Sequence, residues 1–298
     1  MSSWPCGARD GMSLCGHRLG GMGRQRLSDR MNGVEPDGPF EGVPPHLQHA
    51  LVHWWTGVAE ARSGGYFGNE RPLRELASFL RAEVNPNWHA ADLGRGLLDA
   101  ALRDDELFLD LIDGTLEIFN VGPTHAAALA RLLSVSGSVW TVAADRKSLE
   151  RVVSNESQAT FEGATSVADE ITTQLREAWA NAFGRNGDPS DAWDHAVKAM
   201  EALFIPLIVP SQAKPNLGHA VGQLRNQGEL YRLVLPGKDL NHDVGPLVGI
   251  LDLIWPNVDR HPGVATTRPP TPEEARAVVT LAATIAQWHR DGWVVEKK

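Results

Sequence analysis

Residues 271–288 read Thr-Pro-Glu-Glu-Ala-Arg-Ala-Val-Val-Thr-Leu-Ala-Ala-Thr-Ile-Ala-Gln-Trp. Thr271 can cap a helix, Pro272 suits the first helical position, and Glu274 completes a capping box. Behind that start, Ala275, Val278, Val279, Ala282, Ile285 and Trp288 recur at helical spacing as one continuous apolar stripe. Such a stripe must be covered, so the segment predicts other helices packed against it.

The chain upstream supplies them. Asp188, Pro189 and Asp191 announce a second helix with a cap, a first-turn proline and an acidic start. It would bury Ala192, Ala196, Ala199, Met200 and Leu203, with Pro206 as its breaker. Before it, Ile171, Leu175, Ala178 and Ala182 share one face of a predicted helix over Val167–Phe183, ended by Gly184–Gly187. Leu217, Val221 and Leu224 mark another helix, Tyr231–Leu235 a short strand, and Val244–Ile254 an apolar helix.

The first half repeats the pattern. Leu47, Leu51, Trp54 and Val58, then Leu73, Leu76, Ala77 and Leu80, then Leu93, Leu97 and Ala100 all fall at helical spacing. Asp104–Leu116 and Thr124–Leu133 add two more helices, and Ser138–Val142 reads as a strand or hairpin. The polar segment 154–165 reads as the boundary between two units. The expected fold is mainly α, with minor short β-hairpin elements. A disordered leader over 1–43 precedes an N-terminal helical module over 44–153 and a C-terminal helical bundle over 165–298.

Composition narrows the function. The chain of 298 residues carries a formal charge of −9, so it has no general attraction for nucleic acid, and non-specific DNA binding is not expected. No apolar run approaches the roughly 20 residues of a membrane span. The only cysteines, Cys6 and Cys15, fall in the leader and cannot staple a fold of this size, which points to a reducing, cytoplasmic setting.

Phosphate-binding loops, dinucleotide fingerprints, nucleophile elbows and His-Glu-x-x-His zinc motifs are absent, so no cofactor is expected. His46, His49 and His53 share one helical face, but it points away from the Leu47–Val58 stripe and reads as solvated. Glu106, Asp110 and Asp113 likewise read as a solvated face rather than a calcium loop. Trp54, Trp55 and Trp88 read as core before they read as an aromatic ligand pocket.

One polar cluster remains, Asn257-Val258-Asp259-Arg260-His261, between the apolar 244–254 helix and the capped final one. A histidine near pKa 6.5 can take a proton from a ribose 2′-hydroxyl and return one to a leaving oxygen. An arginine can hold the phosphate as its charge grows, and an asparagine can orient it. The same residues also make an ordinary polar turn.

The order of Asp188-Pro189-Ser190-Asp191-Ala192-Trp193, Lys198-Ala199-Met200-Glu201, Asn216-Leu217-Gly218, a His-containing turn and a final helix with Ala275, Val279 and Ala282 resembles a known pattern. It is that of the C-terminal domain of abortive-infection (Abi) proteins, a branch of the HEPN superfamily, over roughly residues 165–298. The resemblance implies an all-α bundle, a homodimer, and metal-independent cleavage of RNA in phage defence or as a toxin. The family motif pairs an upstream arginine, followed by a polar residue, with a final histidine. His261 matches that histidine. The positions where the arginine would fall hold Ile254, Trp255 and Pro256. The site is thus degenerate: if it is active, Arg260 substitutes from a different place on the turn to hold the phosphate, His261 transfers the proton and Asn257 orients the group. The alternative is a non-catalytic bundle that serves dimerisation or interaction.

Overall fold

A computed structural model of the chain describes residues 27–34, 38–63, 70–255, 268–292 and 294–298. The described chain is mainly helical, with two small two-stranded antiparallel sheets, and its buried apolar side chains fall chiefly into two clusters.

The first cluster spans Val43 to Leu149. It is built from α2 (Pro45–Ser63), α3 (Glu70–Phe79), α4 (Ala90–Ala101), α5 (Asp105–Ile118) and α6 (Pro123–Val135), preceded by a short helix α1 (Leu27–Met31) that buries nothing. Helix α5 is central: Phe108, Leu109, Leu111, Ile112 and Leu116 are all buried. Trp54 and Trp55 are core residues whose indole N–H groups are both satisfied. Trp54 donates to the His125 carbonyl at 2.8 Å, and Trp55 donates to Thr115 Oγ1 at 2.9 Å. Thr115 in turn donates to the Leu111 carbonyl at 2.6 Å, so no polar atom of this group is stranded in the core. Strands β1 (Trp140–Val142) and β2 (Leu149–Arg151) pair antiparallel, Trp140 opposite Arg151.

Residues 38–43, assigned by composition to the leader, belong to this lobe. Phe40 exchanges hydrogen bonds with Gly137 and Val139, and the Val43 amide donates to Asp105 at 3.0 Å. Backbone pairing at one residue supplies order that no apolar periodicity announces.

The second cluster joins α7 (Asn155–Ala164), α8 (Glu170–Phe183), α9 (Pro189–Ile208), α10 (Leu217–Asn226), α11 (Gly245–Ile254) and α12 (Pro272–Arg290). Strand β3 (Tyr231–Leu233) pairs antiparallel with β4 (Val295–Lys297). The expected capping box at Thr271 and Glu274 is formed, and α12 packs across α7, α8 and α9. At its far end Arg290 grips Asp169 through both oxygens at 2.6 and 2.7 Å.

Three local expectations change. Residues 155–164, read as a boundary, are a helix capped by Ser154, and Phe161 stacks on Trp179 at 4.2 Å. Helix α8 starts at Glu170, because the Asp169 carboxylate caps it; Val167 is exposed. Pro206 does not end α9. It stands in the last turn, where it forfeits one intrahelical hydrogen bond, and buried Phe204 and Ile208 hold the helix on either side of it.

Candidate functional site

The two lobes meet on the turn between α8 and α9. Helix α8 ends at Gly184 and α9 is capped by Asp188, so only Gly184-Arg185-Asn186-Gly187 reverse the chain. Both glycines are required by space: a Cβ would stand 2.3 Å from the Ala180 carbonyl oxygen at Gly184, and 2.0 Å from that of Asn181 at Gly187. Helix backbone cannot retreat from such contacts.

This turn carries Arg185 and Asn186 into the first lobe. The Arg185 amide donates to the Leu149 carbonyl at 2.9 Å, and Gly184 bridges Glu150. The Arg185 guanidinium donates to Asp110 at 3.0 Å, to the Glu106 carbonyl at 3.0 Å and to the Glu106 carboxylate. Its carbon lies 5.2 Å from the centre of the Trp140 ring, within cation–π range.

Asn186 donates to Asp113, which also accepts from the Leu149 amide at 2.6 Å. Burial pushes the Asp113 carboxyl up to about 6, against the opposing pull of the Leu149 amide and the Arg185 charge. The face of α5 read as solvated is therefore the seam between the lobes. Asp113 is buried, and Glu106 and Asp110 are committed to Arg185. Carboxylates three and four residues apart look alike whether they face water or a guanidinium.

Asp113 bears on stability in a defined direction. A carboxyl whose pKa is raised on folding binds its proton more tightly in the folded state, so its contribution to stability falls as pH rises from about 4 to about 6. Asp113→Asn carries no such proton. The melting temperature of the variant relative to wild type is expected to rise between pH 4 and pH 6 and to level off above. A constant difference across that range would show that Asp113 ionises normally.

Beside this joint lies a cleft of about 380 Å³, lined by both lobes. From the first lobe come Glu41, Trp140 and Arg151; from the second come Arg185, Glu273 and Arg276. Arg151 pairs with Glu41 through both amino groups, and Arg276 donates to Glu273 at 2.7 Å. The Arg151 hydrogen bond holds the Glu41 carboxyl below the usual range, and the Arg276 charge acts in the same direction.

Asn257, Arg260 and His261 lie outside the described residues. The two ends of their segment are well defined. Ile254 is fully buried, and its carbonyl accepts from the indole of Trp193 on α9 at 2.8 Å. The Trp255 indole lies against the start of α10, where a Cβ on Gly218 would stand 2.7 Å from Nε1. At the other end Arg268 donates to both oxygens of Glu274 at 2.7 and 2.6 Å.

His46, His49 and His53 are exposed, and the His46 ring nitrogen lies 3.2 Å from the Ser136 carbonyl oxygen. Among the described residues no group of His, Cys, Asp or Glu is arranged to hold a metal ion, and no helix is long and apolar enough to cross a membrane. Comparisons with family models, curated proteins and solved structures find no match.

Sequence reasoning passed over Arg185 and Asn186, treating their loop as a helix end. The available signal was the Gly-Arg-Asn-Gly spacing, an arginine and an asparagine held between two residues that permit a tight reversal.

Proposed function

We propose that the chain is an abortive-infection-like phage-defence or toxin protein whose C-terminal lobe cleaves RNA without a metal at the Asn257–His261 turn. The observation that carries this reading is the way the segment bearing those residues is framed. Trp193 fixes the last carbonyl of α11 before it, and the Thr271–Glu274 capping box fixes the first turn of α12 after it. Catalytic geometry needs rigid supports on both sides of the reacting groups. In this reading His261 is base and acid, Arg260 holds the phosphate and Asn257 orients it. A homodimer would present two such turns, and the first lobe, joined through Arg185, regulates the second.

A second reading is supported by Ile254 and Trp255, which stand where the family places its upstream arginine. One is fully buried and the other is packed on α10. A bundle that has given these positions to its core can persist as a non-catalytic dimerisation or interaction platform.

Induced expression separates the two. Wild type is expected to arrest growth and fragment cellular RNA, and His261→Ala to do neither, with a loss on the order of 100-fold in cleavage for a missing general acid–base. Equal growth and intact RNA in both strains would favour the platform.

A further inference from the structure

The interlobe cleft has the volume of a small-molecule site. Five charged side chains, Glu41, Arg151, Arg185, Glu273 and Arg276, stand among its apolar lining, and they are not equally committed. Arg185 is spoken for: its side chain is 7% exposed and held by Glu106 and Asp110, neither of which lines the cleft. Arg151 and Arg276 are different. Their side chains are 26% and 22% exposed, whereas their partners Glu41 and Glu273 are 63% and 74% exposed.

An ion pair between a half-buried arginine and a more exposed carboxylate has one replaceable half. The carboxylate loses little by turning to water, because pairs of this kind are worth little. The guanidinium gains from an anion of higher charge that offers two or three oxygens in the plane of its donors.

Arg151 of the first lobe and Arg276 of the second line the same cleft of about 380 Å³, so an anion seated in it faces both. The first turns of α9 and α12, at Pro189 and Pro272, line the same space.

We propose that this cleft binds a phosphate-bearing small molecule, a nucleotide or an inorganic diphosphate, held between Arg151 and Arg276 while Glu41 and Glu273 are displaced into solvent. Because one arginine comes from each lobe, the bound anion clamps the lobes together. This binding does not depend on cleavage at His261.

Calorimetric titration of the full chain with sodium pyrophosphate, and separately with AMP, at low ionic strength tests it. Wild type is expected to bind one of the two saturably. Arg151→Ala and Arg276→Ala are each expected to weaken binding about tenfold, and Glu273→Gln to tighten it about threefold by removing the competing carboxylate. Tighter binding of AMP assigns a nucleotide, and tighter binding of pyrophosphate an inorganic ligand.

No saturable binding of either probe to wild type and Glu273→Gln would overturn the proposal, as would undiminished binding to the double arginine variant. If the arginine variants fail to fold, Glu273→Gln decides. A merely structural ion pair predicts a less stable protein with no tighter binding.

Discussion

Trp193→Ala is expected to lower stability by about 3–5 kcal/mol, the usual cost of emptying a large aromatic site in a core. The side chain is buried among α9 and its neighbours, and its N–H satisfies the last carbonyl of α11. Two losses coincide there, the packed ring and the hydrogen bond to a buried acceptor. Trp193→Phe separates them. It keeps most of the volume and leaves the Ile254 carbonyl unpaired, for a cost of about 1–3 kcal/mol. Denaturant unfolding measures both. A functional consequence follows, because Ile254 is the last helical residue before the segment of Asn257, Arg260 and His261. Trp193→Phe is expected to reduce any RNA cleavage by more than its small loss of stability explains.

Arg185→Ala is expected to cost about 2–3 kcal/mol and to uncouple the lobes. Breaking a buried pair strands its partner, at about 3–5 kcal/mol when both groups are out of water. Here the guanidinium is buried but Glu106 is 71% exposed, so its carboxylate returns to solvent and the penalty is smaller. The seam depends on this one turn for Asp110, Glu106 and Trp140 together. Thermal unfolding is therefore expected to divide from one transition into two as each core melts separately. Arg185→Lys is expected to restore less than half of the loss, because an ammonium cannot serve both carboxylates and lie flat on an indole. A single unchanged transition in Arg185→Ala would show that the seam has other supports.

Much of this architecture was legible in the sequence, because local chemistry dictates it. Thr271 to Glu274 announce α12 by the hydrogen-bonding capacity of their own side chains, and Asp188 and Pro189 do the same for α9. The illegible parts depend on groups distant in sequence. Phe40 is ordered by Gly137 and Val139, and Arg151 by Glu41. Pro206 reads as a breaker because its missing amide is local, whereas the core that holds Phe204 and Ile208 in place is not. Glu106, Asp110 and Asp113 show the same limit at the seam: their helical spacing was visible, and the arginine 75 residues beyond Asp110 was not.

The nuclease reading is tested most directly with the purified full chain, excess chelator and a single-stranded RNA. Attack by a ribose 2′-hydroxyl leaves a 2′,3′-cyclic phosphate on the upstream fragment. Wild type is expected to yield such fragments undiminished by chelation, and His261→Ala, folded by circular dichroism, to yield them about 100-fold more slowly. RNA left intact by wild type, or cut equally by His261→Ala, would contradict cleavage at this turn.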